Sequence, residues 1–181
     1  MRIKERLKRK YEFIYANIAY KISHNIEYIY NYYRKQGIKI GVNCRIYSEL
    51  KSPEPYLISI GNNVTIAPGV NFICHDNSVC KLSPQYTDIF GCITIGDNCF
   101  IGANSLILPG IDIGNNTIIA AGSIVTKSFG EGLVIGGNPA KIITDINTYK
   151  NKIEKYALST NGLSYSEKKR LLLNTNKLIK K

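Results

Sequence analysis

Only two histidines occur in the 181 residues, and one of them, His75, stands between Cys74 and Asp76 at a point where the sequence changes character. A neutral imidazole near its free pKa takes a proton readily from a hydroxyl, so His75 is the natural candidate for a general base. Asp76 supplies a carboxylate that could orient the ring or fix its tautomer, although neighbours in sequence need not meet in space. Cys74 suggests a thiol nucleophile worked by the imidazole, but successive residues of a strand face opposite ways, which argues against the pair. The other histidine, His24, has no partner in sequence and reads as a surface or packing residue. No metal is expected, because the five cysteines lack ligand spacing and two histidines cannot supply a three-histidine zinc site.

A histidine can act only if something rigid positions it, and the sequence supplies a scaffold with a period of six. Residues 95 to 130 divide into six hexapeptides in unbroken register, opening at Ile95, Ile101, Ile107, Ile113, Ile119 and Val125. Gly or Ala follows the first residue in most of them, and the fifth place holds Cys99, Ser105, Ile111, Thr117 and Ser123. Such a period fits neither a helix nor an array of hairpins. It fits short strands separated by corners, with the first and fifth places pointing inward and Asn, Asp or Gly tolerating the backbone at the corners. Stacked coils of this kind form a parallel β-helix, each strand pairing with those one coil above and below.

Upstream the same frame recurs from Ile40, Ile46, Ile60, Ile66 and Phe72, with a slip at Ser52-Pro53 and a degenerate hexad from Glu54. It is lost over residues 78 to 88 and expected to resume at Ile89. Thirteen hexads, three to a coil, make about four coils, above the roughly three repeats a solenoid needs. The break lies directly after Cys74-His75-Asp76, so the solenoid should extrude a loop there, and loops carried on rigid scaffolds are where function concentrates. His75, in the fourth place of its hexad, should then face outward near a corner.

The flanks differ from this core. Of the formal charge of +11, residues 1–36 hold nine Lys/Arg against three Glu, residues 147–181 hold nine against two, and the core 37–146 holds six against eight acidic residues. A core of that charge excludes a nucleic-acid-binding solenoid. Apolar residues at Leu7, Tyr11, Ile14, Ile18, Ile22, Ile26, Ile29 and Tyr33 predict one striped helix over residues 3–35, ended by Gly37. That stripe either packs on the open first coil or a neighbouring subunit, or rests at an anionic membrane surface, as Tyr with Lys/Arg suits. Two further helices are expected near 147–158 and 165–179, the second capped by Ser164. Domain bounds of 1–36, 37–146 and 147–181 follow. The odd cysteine count, with no apparent signal peptide and no apolar run of membrane-spanning length, points to the cytoplasm.

Taken together, the hexad run, the histidine at the mouth of a loop, Asn98-Cys-Phe-Ile-Gly-Ala103, Ala120-Ala-Gly-Ser-Ile-Val-Thr-Lys127 and Gly137-Asn-Pro-Ala-Lys141 resemble the hexapeptide-repeat acyltransferases across residues 40–143. The resemblance implies an all-β solenoid, a left-handed parallel β-helix, usually a homotrimer with active sites between subunits, that transfers acetyl from acetyl-CoA. It makes His75 the catalytic base. It lines the pantetheine arm with backbone of Ala103 and Ala121, and sets Thr126, Lys127 and Lys141 towards the nucleotide end, where Lys suits phosphate. Phe100 stands where the family often has Trp, near the acceptor or thioester. The implied acceptor is a saccharide hydroxyl in surface polysaccharide synthesis. Alternatives are an amino sugar, an antibiotic hydroxyl of the streptogramin or chloramphenicol kind, and, in another class, a non-catalytic assembly module.

Overall fold

Every hexad opening from Ile95 to Val125 is buried with at most 2% of its surface exposed, and the fifth-place residues Cys99, Ser105, Ile111, Thr117 and Ser123 with at most 3%. In the computed structural model, which describes residues 3–179, these positions fill the inside of a three-faced parallel β-helix. The first face stacks β1 (Lys39–Ile40), β3 (Ile58–Ile60), β8 (Ile93–Ile95) and β11 (Asp112–Ile113). The second stacks β2 (Arg45–Ile46), β4 (Thr65–Ile66), β9 (Phe100–Ile101), β12 (Ile118–Ile119) and β14 (Leu133–Gly137), and the third β5 (Asn71–Phe72), β10 (Leu106–Ile107) and β13 (Ile124–Val125). In-register pairing turns sequence period into columns: Ile46, Ile66, Ile101, Ile119 and Ile135 stand one above another.

Polar residues at inward places find partners on the coil's own carbonyls. Ser105 Oγ lies 2.8 Å from the Gly102 carbonyl, Ser123 Oγ donates to Ala120 at 2.6 Å and Thr117 Oγ1 to Gly130 at 3.2 Å. Left unpaired in this interior, each hydroxyl would destabilise the fold by about 1–3 kcal/mol. One corner is a ladder of amides, with Asn43, Asn63, Asn98 and Asn116 all at φ between 53° and 57°. Asn63 Nδ2 donates to Asn98 Oδ1 at 2.7 Å. Asparagine accepts this left-handed backbone more cheaply than other side chains. The glycines in second place meet a different demand, since a Cβ at Gly102 would lie 2.4 Å from the Ala121 nitrogen of the coil above.

The first and last coils leave strand edges that must be covered. At the start, the single helix expected over residues 3–35 is two: α1 (Ile3–Ser23) and α2 (Glu27–Lys35), with His24 between them at φ 55°. The run Ser23-His24-Asn25 explains the break. Ser23 Oγ accepts from the Asn25 nitrogen at 3.2 Å and Asn25 Oδ1 from the Glu27 nitrogen at 3.0 Å, side-chain bonds that compete with helix continuation. The break lets α2 lie over coil one. Tyr30 Oη donates to the Cys44 carbonyl at 2.9 Å and accepts from the Ile46 nitrogen at 3.1 Å, while Tyr33 Oη accepts from the Leu50 nitrogen at 3.2 Å. The apolar stripe therefore divides: Ile26, Ile29 and Tyr33 pack on the core, whereas Leu7, Tyr11, Ile14, Ile18 and Ile22 remain exposed.

At the other end β15 (Ala140–Asp145) folds back antiparallel on β14 and closes the last coil. Asp145 then caps α3 (Ile146–Glu154), accepting from the Asn147 and Thr148 nitrogens at 3.0 and 2.9 Å. Ser164 and Glu167 form a capping box at α4 (Tyr165–Asn174), which stops short of the expected residue 179. Among the described residues no helix is long and apolar enough to cross a membrane.

Candidate active site

The break in the repeat is not a plain loop. β6 (His75–Asp76) pairs antiparallel with β7 (Ile89–Phe90), so the residues between them hang from a short two-stranded ribbon. The hexad expected to restart at Ile89 is accordingly not in register, because Ile89 is 54% exposed and the first inward residue is Ile93. Its first place has been drafted into the ribbon, and only its fifth returns to the core.

Alternation along this segment separates Cys74 from His75. Cys74 points inward, 1% exposed, and burial raises its thiol pKa above the ordinary value. It therefore stays a protonated packing group and is unsuited to nucleophilic attack. His75 points out, its side chain one-third exposed, with the Phe90 ring centroid 6.0 Å from its own.

The carboxylate beside the ring belongs to Glu54. Its Oε2 lies 2.8 Å from His75 Nδ1, and its side chain is only 15% exposed. Glu54 precedes the single turn Pro55–Leu57, whose Pro55 is buried, and its own nitrogen donates to Ser52 Oγ at 3.2 Å. The segment that broke the hexad pattern thus aims a carboxylate at the base. Asp76, the adjacent carboxylate that could have oriented the ring, bonds to Ser78 instead. Its Oδ1 accepts from the Ser78 nitrogen at 2.8 Å, and these bonds to Ser78 hold its pKa below the usual carboxylate range. With Nδ1–H donated to Glu54, Nε2 carries the free lone pair, and among the described residues no side chain bonds to it.

Sequence reasoning missed Glu54 because the pairing is long-range. One coil of three hexads back from His75 falls at Leu57, three residues from Glu54. Coil arithmetic points to the segment, but the slip at Ser52-Pro53 conceals the residue.

The other candidate residues fall on two corners of the solenoid. Ala103 and Ala121 follow β9 and β12 at the corner between the second and third faces, in direct stacking, with Gly122 donating its N–H to the Ala103 carbonyl at 2.8 Å. The β14–β15 turn continues that column, and Lys141, exposed, pairs across it with Gly136. Thr126 and Lys127 follow β13 at the corner between the third and first faces, the corner from which His75 departs after β5. Lys127 is exposed, its Nζ 5.6 Å from the Phe129 ring centroid. Phe100 lies half-exposed on β9, paired with Thr65 and Ile118. One chain thus gathers the backbone corner with Lys141 on one edge, and the base with Thr126 and Lys127 on another. Among the described residues no group of three His, Cys, Asp or Glu is placed to hold a metal.

A triangular β-helix carrying an outward histidine–carboxylate pair at an extruded ribbon is the arrangement that the hexapeptide resemblance implies. The chain belongs to the hexapeptide-repeat acetyltransferase family. Residues 92–127 match the family described as "Hexapeptide repeat of succinyl-transferase". It is 50% identical over 146 residues to "Protein CapG" of Staphylococcus aureus, covering 78% of this chain and 85% of that protein. It is 38% identical over 112 residues to the galactoside O-acetyltransferase of Escherichia coli K12, covering 61% of this chain and 55% of that enzyme. Among solved structures, a maltose O-acetyltransferase from Clostridium difficile 630 superposes with a TM-score of 0.51 at 27% identity, covering 76% of this chain and 88% of that one.

Proposed function

We propose that the protein transfers the acetyl group of acetyl-CoA to a hydroxyl of a saccharide, in the synthesis of a surface polysaccharide at the cytoplasmic side of the membrane. The observation that carries this reading is the Glu54–His75 pair, which leaves Nε2 as an accessible proton acceptor at the solenoid's extruded ribbon. Nε2 takes the proton of the attacking hydroxyl as its oxygen bonds to the thioester carbonyl carbon. The carbon–sulfur bond then breaks, and the imidazolium returns the proton to the departing thiolate. Glu54 holds the ring in the required tautomer and faces the positive charge while it exists. No side chain is acylated, in keeping with the buried, protonated Cys74.

Acetyl-CoA fits what the residues offer. The Ala103–Ala121 column is a corner without bulk, where backbone groups can be approached closely. Lys141 at its end and Lys127 at the other corner are exposed cations suited to phosphates. Thr126 stands beside Lys127. Phe100 is placed as the aromatic wall towards acceptor or thioester. Because the two sets of residues occupy different edges of one chain, a complete site needs edges from two chains, which supports the homotrimer with sites between subunits that the family resemblance implies.

The galactoside and maltose O-acetyltransferases among the relatives favour a saccharide hydroxyl over an amino group or an antibiotic. An acceptor screen tests this: purified protein, acetyl-CoA, and a panel of free, nucleotide-linked and lipid-linked saccharides, reading free thiol and product chemistry. A hydroxylamine-labile ester is expected. A stable amide would favour amino-sugar acetylation, and failure to bind CoA at all would make the solenoid an assembly module.

A further inference from the structure

The exposed half of the N-terminal stripe has a geometry of its own. Counting about 100° per residue along α1, Ile3, Leu7, Tyr11, Ile14, Ile18 and Ile22 fall within a single arc of about 100°. All six are exposed. The contacts of α1 are made on the opposite side, where Ala16 is buried and Phe13 packs against the Tyr32 ring at 5.2 Å between centroids.

Charge is sorted about the same axis. Lys10 and Lys21 border the apolar arc on one edge, and Lys4 and Lys8 on the other. Glu5 and Glu12 fall on the far side together with Arg6 and Arg9, so the acidic residues are kept from the edges of the arc, and Glu12 Oε2 accepts from Gln36 Nε2 of the segment after α2 at 3.3 Å. A protein partner is a weaker match for this face, because lysine is depleted from subunit interfaces relative to the rest of the surface. Lysines walling an apolar stripe can instead lay their stems along acyl chains and keep their ammonium groups at headgroup level. Tyr11 and Tyr15, exposed along the same side, are of the amphipathic aromatic kind found at membrane interfaces.

We infer that α1 is an in-plane membrane anchor, lying on an anionic lipid bilayer with the Leu7–Tyr11–Ile14–Ile18 arc inserted and Lys4, Lys8, Lys10 and Lys21 at the headgroups. At about 1.5 Å per residue its 21 residues extend roughly 30 Å along the surface. The break at His24 makes the arrangement compatible with folding, since α2 covers the first coil and α1 packs against α2 through Phe13 and Ala16, leaving its apolar arc outside the core. Attachment is independent of acetyl transfer, so it stands or falls separately from the reaction proposed above.

The test is cosedimentation of the full chain with vesicles of phosphatidylcholine alone or mixed with phosphatidylglycerol. Binding is expected to the mixed vesicles at low salt and to be released at high salt by screening. Each basic residue near an anionic surface contributes about fivefold in partition. Replacing Lys4, Lys8, Lys10 and Lys21 by Gln should therefore weaken binding at least tenfold, as should Leu7→Asp with Ile14→Asp and Ile18→Asp. Thermal unfolding of both variants should match the parent, because the altered side chains lie outside the core. No binding of the parent at low salt overturns the inference. Undiminished binding of the aspartate variant overturns it too, moving attachment to the basic C-terminal segment. Dissociation of the oligomer in that variant with lipid binding intact assigns the face to a second copy of the chain.

Discussion

Replacing Glu54 by Gln removes a charge and leaves a side chain of the same length at the back of the catalytic ring. In the native pair Oε2 lies 2.8 Å from Nδ1, so the charge centres are about 4 Å apart. An interaction of unit charges at that distance is worth about 4 kcal/mol at an effective dielectric of about 20. The His75 side chain is one-third exposed, and solvent screening brings this down towards the 1.5–3 kcal/mol typical of hydrogen bonds to charged groups. Because imidazolium exists only as the proton is in transit, the loss falls on the chemical step: kcat should drop about 10- to 10²-fold. KM for acetyl-CoA should hold within about threefold, since Glu54 lies behind the ring and not on the cofactor corner. Steady-state thiol release measures both. The double variant with His75→Ala should be no slower than His75→Ala alone, because a positioning carboxylate has nothing to position once the ring is gone. Full additivity of the two losses, or unchanged kcat in Glu54→Gln, would refute the pairing as a functional unit.

Three further outcomes follow from the same geometry. Lys141→Ala should weaken CoA more than desphospho-CoA in titration calorimetry, since its proposed contact is with a phosphate, and equal loss would place Lys141 elsewhere. At limiting acetyl-CoA, mixed oligomers of His75→Ala chains with Lys141→Ala chains should be more active than either homo-oligomer, because sites between subunits can then combine intact edges; a fully active monomer would contradict that assembly. Stability should fall as pH rises from about 10 to 12: burial pushes the Tyr33 hydroxyl up to about 12, so the folded state holds that proton more tightly than the unfolded chain. The tighter hold is worth about 3 kcal/mol, present in full below pH 10. Chemical denaturation across that range should show the decline, and Tyr33→Phe should make it shallower without abolishing it, since burial also raises the Tyr30 and Tyr32 hydroxyls.

How much of this was legible in the sequence depends on the range of the interaction. The period of six is local, so the inward places from Ile95 to Ser123 and the corner asparagines could be read directly, and each is where the reading put it. The outward place of His75 follows from the same alternation. The break at His24 was hidden because apolar spacing runs unbroken from Ile22 to Ile26, while side-chain bonding by Ser23 and Asn25 decides the backbone. Glu54 was hidden because it lies in the irregular segment, where hexad counting fails. Asp76 attracted attention by adjacency alone, and a strand that points His75 one way carries its neighbour the other. The sorting of candidate residues onto two corners follows from strand order, which the hexads imply, but a linear reading gathers them as one site.

The central claim is that His75 is the base in transfer of acetyl to a saccharide hydroxyl. It is tested most directly by single-turnover transfer of labelled acetyl from acetyl-CoA to the acceptor found in the screen, for the parent and His75→Ala, with CoA affinity measured alongside. A general base is worth about 10²- to 10⁴-fold. The account predicts a loss of that size in His75→Ala with CoA affinity unchanged, and ester formed at the parental rate by His75→Ala would contradict it.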